Sequence, residues 1–236
     1  MFLRNKKKKR QLKIKMKFKL SPSSLNLMQD CKRCFWLDKH NVWKRPETIF
    51  PSLPSGMDRI LKAHFDNFRD KGKLPPELCT NGHCKDMKLF GKDEEEKGLL
   101  KVWRSNFKGI MFQDDKGNIL HGAVDNILVK ESKLIVLDYK TRGYPIKEDT
   151  SEHYKNQLDI YNFLLQKNGF DTEDFSFLLF YIPKEVLETG EVIFDTSLVK
   201  MPSNPKNAEK LFKSALELLN GPCPKETCEW CQCIKE

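Results

Sequence analysis

The chain has 236 residues, of which 39% are hydrophobic and 32% charged, with a formal net charge of +9. That length supports one substantial domain or two small ones, and the composition describes a folded, soluble protein rather than a disordered or fibrous one. No apolar run approaches the roughly 18 residues of a membrane span and the basic N-terminus lacks the apolar stretch of a secretory signal, so an intracellular, cytoplasmic protein is expected.

The positive charge is local. Residues 1–20 carry ten Lys or Arg and no acid, whereas the remainder carries 32 basic against 33 acidic residues. Residues 1–20, with the run from Lys6 to Arg10, read as a disordered basic arm: a contact for nucleic acid, a nuclear-localisation-like patch, or a stretch upstream of a true start at Met16. From residue 21 to 236 a single domain is expected, with a cysteine-rich tail over 222–236.

"SPSSLNLMQDCKRCFWLDKH" opens with a helix-start signal and continues with apolar residues at helical spacing. "PSLPSG", residues 51–56, reads as a loop. A helix follows over about 57–69, with Ile60, Leu61, Phe65 and Phe68 as its apolar stripe. Residues 72–98 are polar and read as a loop-rich connection that includes the acidic run Asp93 to Glu96. Three strands are expected over 107–113, 119–129 and 134–141, separated by "DDKGN" and "KESK". A helix over about 151–167, strands over 175–182 and 191–194, and a helix over about 205–219 complete the chain. This order gives an α/β fold with a central mixed sheet flanked by helices.

The last two of the three central strands make a specific prediction. An even-length turn centred between Glu131 and Ser132 places Asp125 directly opposite Asp138. Facing side chains on paired strands lie about 5 Å apart, and like charges there repel. The neighbouring Val, Ile and Leu residues fill both faces, so the two carboxylates need a cation. Alternation puts Lys140 on the same face as Asp138. Two carboxylates, a lysine and room for Mg²⁺ or Mn²⁺ suit phosphodiester hydrolysis.

"GAVDNILV", "IVLDYKT" 13 residues later and "QLDIY" together resemble the PD-(D/E)XK nucleases, and most closely the RecB-like branch with its CRISPR-adaptation exonucleases and helicase–nuclease subunits. The resemblance covers about residues 21–236. It implies a restriction-endonuclease-like core in which Asp125 and Asp138 ligate the metal, the backbone carbonyl of Tyr139 also touches it, and Lys140 is the catalytic lysine. Gln157 and Tyr161, at i,i+4 on the following helix, would support the lysine or touch DNA. The branch also draws a histidine ligand from an early helix, for which His64 is the candidate and Asp58 the alternative.

Eight cysteines in an intracellular chain point to metal or cluster ligation rather than disulfides. The resemblance implies an iron–sulfur cluster joining the N- and C-terminal ends through Cys31, Cys223, Cys228 and Cys231, with Cys34 and Cys233 as substitutes. A structural Zn²⁺ would use the same residues. Cys79 and Cys84 read as ordinary loop residues, and Phe35 and Trp36 as core.

The function expected is a metal-dependent deoxyribonuclease, an exonuclease on single strands or ends, in DNA repair, recombination, phage replication or CRISPR adaptation. The alternatives are a non-catalytic DNA-binding module and a subunit active only beside a helicase or integrase partner. The chain has no P-loop of its own, so any unwinding would come from elsewhere.

Overall fold

A computed structural model describes residues 17–46, 51–79 and 82–234. The basic run from Lys6 to Arg10 lies outside them. In chain order the elements are β1 (Lys19–Leu20), α1 (Pro22–Asp30), α2 (Lys32–Lys39), α3 (Ser52–Asp70), α4 (Pro76–Cys79), β2 (Lys88–Leu89), α5 (Glu94–Trp103), β3 (Ile110–Gln113) and β4 (Ile119–Gly122). They continue with β5 (Asn126–Lys130), β6 (Lys133–Thr141), α6 (Lys155–Lys167), β7 (Phe175–Val186), β8 (Val192–Pro202) and α7 (Pro205–Asn220). A five-stranded sheet runs β2-β5-β6-β7-β8 and a three-stranded one β1-β4-β3. Both are mixed and flanked by helices, so the α/β class holds, with two mixed sheets where one central sheet was expected. No described helix is long and apolar enough to cross a membrane.

Strand β6 is the centre. It pairs antiparallel with β5 and parallel with β7. Parallel neighbours need a crossover, which α6 supplies. Leu134 through Tyr139 are all buried because helices cover both faces of the strand. Leu134 and Val136 pack with Leu158 and Leu164 of α6, while Ile135, Leu137 and Tyr139 pack with Leu61 and Phe65 of α3. The parity of a strand therefore turns Asp138 and Lys140 toward α6. The β5–β6 register runs from Asn126↔Leu137 to Lys130↔Lys133, as the sequence pattern requires. The turn residue Glu131 takes a positive φ of 54°.

Several boundaries differ from expectation for identifiable reasons. The single strand expected over 119–129 is two strands in different sheets. At the bend between them the Val124 N–H donates to the Trp103 carbonyl at 3.1 Å, and the Asp125 carbonyl accepts from Arg104 Nε at 2.7 Å. Backbone partners there come from the end of α5 instead of a strand ladder. Residues 51–56 do not form the expected loop; most of them make the first turns of α3, where Pro54 needs no intrahelical N–H partner.

The polar stretch 72–98 contains α4, β2 and the start of α5. Its acidic run caps α5: Asp93 accepts from the Glu96 N–H at 2.9 Å, and the acids sit at the positive end of the helix. The first helical stretch breaks at Cys31, whose extended backbone (φ −158°, ψ 112°) ends α1 and caps α2. Phe18 and Leu20 are buried and β1 pairs with β4, so folded structure begins inside the expected arm. Strand β8 extends well beyond 191–194 because it pairs with β7 along its whole length as an edge strand.

The buried Asp159 of α6 accepts from the Asn204 N–H at 2.6 Å and from Asn207 Nδ2 at 2.8 Å, which fastens the start of α7 to α6. Asp159→Ala leaves both donors without this acceptor and should lower the free energy of unfolding by about 2–3 kcal/mol in a urea titration. A loss of a few tenths would mean that this cap does not hold the two helices together.

Candidate active site and cysteine centre

The register that carries Asn126 opposite Leu137 brings Asp125, one residue before β5, opposite Asp138. Asp125 has left the ladder, and its Oδ2 accepts from the Tyr139 N–H at 3.0 Å. Asp138 is almost completely buried. Its Oδ2 is ion-paired with the Lys140 ammonium and takes no hydrogen bond of normal geometry.

Helix α6 completes this group. Gln157 donates through Nε2 to Asp138 Oδ1 at 3.2 Å and to the Tyr161 hydroxyl at 2.7 Å, while its Oε1 accepts from Lys140 Nζ at 3.2 Å. The ammonium can only donate and the carboxylate accepts, so these two partners allow one orientation of the amide, and the Tyr161 hydroxyl adapts to it. The Lys140 ammonium also lies 4.6 Å from the centre of the Tyr154 ring. Five residues expected from the sequence, Asp125, Asp138, Lys140, Gln157 and Tyr161, are thus joined through one strand end and one helix face.

The electrostatics follow from burial. Desolvation, opposed by Lys140 and reinforced by the Asp125 charge, pushes the Asp138 carboxyl up to about 7. Burial alone would lower Lys140, but the Asp138 charge holds it above the ordinary lysine range. A carboxylate held that high lacks positive charge, and hard oxygen donors beside it suit a divalent cation. The residues therefore fit the metal that the sequence pattern called for.

Two expectations are corrected. His64 does not join the carboxylates: its Nε2 lies 2.9 Å from Glu77 Oε1 and its ring meets the edges of Phe65 and Phe68. Helix rotation explains this, since the α3 residue that reaches Asp125 is Lys62, two positions earlier. Lys62 Nζ lies 3.2 Å from Asp125 Oδ1 and 2.8 Å from Asp58 Oδ2. Asp58 therefore faces the site through Lys62. Tyr139 contributes its backbone N–H, and its buried hydroxyl accepts from Asn126 Nδ2 at 2.6 Å on the opposite face.

The sequence reading missed the shell that holds Asp125. Arg104 grips its carbonyl and donates to both oxygens of Asp66. Arg69 reaches Asn126 Oδ1 at 2.6 Å and also pairs with Asp66. The signal was present as a charged stripe, Asp58, Lys62, Asp66 and Arg69, at helical spacing beside the apolar stripe of α3.

The second correction concerns the cysteines. Cys31, Cys34, Cys228 and Cys231 gather with their sulfurs within 4.8 Å of one another, so Cys34 takes the place expected for Cys223. Cys223 Sγ accepts instead from Arg33 at 3.5 Å, and Cys233 is exposed. The group joins the N- and C-terminal regions and could hold a metal ion. Arg33 donates to the carbonyls of Pro224 and Ile234, so the tail wraps around its guanidinium. Cys84 is buried in the core on the α3 side, where burial pushes its thiol up to about 11, and Cys79 is exposed. Phe35 is core, and Trp36 stacks on His40.

Gly122 admits Tyr161 to the site: a Cβ there would lie 2.6 Å from the tyrosine ring. Gly122→Ala should cost about 1–3 kcal/mol of stability in a denaturant titration. Gly143→Ala, with nothing within 4 Å of the added carbon, should cost almost none. Equal losses would show that the Tyr161 approach is not a constraint.

A family model described as the PD-(D/E)XK nuclease superfamily matches residues 19–235. Among solved structures, that of SSO0001 is similar at 15% identity and a TM-score of 0.42, with 89% of this chain and 80% of that one covered. No curated protein matches the chain. The family match spans almost all of the described fold, including both ends of the cysteine group and the whole carboxylate–lysine site. The chain belongs to the PD-(D/E)XK nuclease superfamily, a membership that implies a metal-dependent phosphodiester hydrolase.

Proposed function

We propose that the chain is a Mg²⁺- or Mn²⁺-dependent deoxyribonuclease that hydrolyses phosphodiester bonds at DNA ends or in single strands. The observation that carries the hydrolytic reading is the group Asp125, Asp138, Lys140 and Gln157, brought together by β6 and α6. Its resemblance to the RecB-like branch supports DNA as the substrate and strand ends as the point of attack.

Asp125 and Asp138 would hold the divalent ion through their carboxylate oxygens, with the Tyr139 carbonyl as a third donor. When bound, such an ion polarises the phosphate and lowers the pKa of a ligated water. The residues of the chain supply the rest. Lys140 stays protonated beside Asp138, so it donates to a phosphate oxygen and offsets the negative charge that develops there. Gln157 fixes the direction of that ammonium through Oε1 and keeps Asp138 Oδ1 in place through Nε2. Lys62 brings a second ammonium to Asp125 from α3, where it can attract the phosphate backbone. Arg104 holds the Asp125 backbone from behind.

The test is digestion of end-labelled linear and circular DNA, single- and double-stranded, with Mg²⁺, Mn²⁺ or EDTA. Wild type should cut linear substrates only with metal and spare circles, and Lys140→Ala should be at least about 10²-fold slower. Cutting in EDTA, or a Lys140→Ala variant as fast as wild type, would sink the assignment. Efficient cutting of circles would replace the exonuclease with an endonuclease.

A further inference from the structure

The cysteine centre shares no residue with the carboxylate–lysine group, and its geometry departs from the cluster that the resemblance implied. Cys31 and Cys231 have their sulfurs 3.8 Å apart, Cys228 and Cys231 3.8 Å, and Cys34 and Cys228 3.4 Å. All four lie within 4.8 Å of one another. Four thiolates on one zinc, with bonds of about 2.3 Å at tetrahedral angles, stand about 3.8 Å apart. In a cubane cluster each thiolate binds a different iron, which spreads the sulfurs to roughly 6 Å or more. A two-iron cluster keeps close pairs but separates one pair from the other by a similar span. Sulfurs all within 4.8 Å leave room for one ion and not for several.

Local structure says the same. The four residues form two C-x-x-C pairs, Cys31/Cys34 and Cys228/Cys231, the spacing of closed structural zinc sites. In each pair a backbone N–H donates to a partner sulfur: Cys34 N to Cys31 Sγ at 3.5 Å and Cys228 N to Cys231 Sγ at 3.4 Å. The break between α1 and α2 at Cys31 makes the first pair possible, because an uninterrupted helix would leave no free N–H at Cys34. Arg45 brings a cation to the rim, with Nη2 3.8 Å from Cys228 Sγ, and offsets part of the charge that four thiolates leave after a divalent ion binds. The tail over 222–234 has little regular structure, so one ion would organise most of it.

We infer that Cys31, Cys34, Cys228 and Cys231 hold a single tetrahedral Zn²⁺ in place of an iron–sulfur cluster. The full-length protein, expressed with both iron and zinc supplied and purified anaerobically, tests this by elemental and acid-labile sulfide analysis. The expected result is about one zinc per chain, little iron and no sulfide. Several irons with matching sulfide, or a single iron in place of zinc, would overturn it. Cys34→Ser should lose the zinc and Cys223→Ser should keep it; the reverse would also overturn it. Should Cys34→Ser fail to fold, Co²⁺ replacing the zinc in wild type should give the intense visible spectrum of a tetrahedral four-thiolate site. An octahedral or mixed-donor spectrum would count against the assignment.

Discussion

The buried charge at the end of β6 governs the architecture around it. A core strand has Asp138 and Lys140 at its end, and taking either out of water alone costs several kcal/mol. Every neighbouring element answers that cost. Helix α6 gives Gln157, which bonds to both charged groups at once, and Tyr161, which holds Gln157. Strand β4 ends in Gly122 because a side chain there would collide with Tyr161. Helix α3 sends Lys62 to the second carboxylate. The result is a polar group whose amide, hydroxyl and ammonium are each tied to a named partner, with one acceptor, Asp138 Oδ2, left to ionic contacts.

The bend before β5 belongs to the same solution. Had β4 and β5 been one strand, Asp125 would have spent its backbone in a ladder. Instead Arg104 takes its carbonyl and the carboxylate is free to meet Tyr139 N–H and Lys62. Arg104 and Arg69 are like charges at close quarters, and both pair with Asp66. Arg69 goes on to Asn126, and Asn126 to the Tyr139 hydroxyl. This chain of bonds runs from α3 through β5 to the α3-facing side of β6, so the carboxylates are braced from the side opposite α6.

What the sequence made legible was whatever depends on short-range periodicity. A two-residue turn between apolar runs fixes the pairing of Asn126 with Leu137, and a slip of one residue would turn the whole apolar set to the wrong face. Gln157 and Tyr161 were readable because i,i+4 spacing places them on one face of α6. What stayed hidden depends on tertiary partners. Nothing local distinguishes His64 from Lys62 as the α3 residue facing Asp125; the docking angle of the helix decides it. The break at Cys31, which brings Cys34 into the sulfur group, replaces helical hydrogen bonding with a cap, and the apolar pattern ran through it unchanged. The split of 119–129 is hidden for the same reason, since both strands carry apolar residues and the bend is set by Trp103 and Arg104.

The two groups offer different donors, hard carboxylate oxygens in one and soft thiolates in the other, so they suit different metals. They are nevertheless mechanically joined. The four sulfurs tie the tail to α1 and α2, and Trp36 of α2 bonds to the Gly221 carbonyl at the end of α7. Helix α1 then meets the start of α6 through Gln29 and Asn156 at 2.8 Å. Asn156 is the residue before Gln157. The helix that aims the lysine is therefore held at its first turn by an element that the cysteines anchor. Four sulfurs drawn from both ends of the chain suit that task, because a cross-link between distant segments keeps its geometry better than either segment would alone.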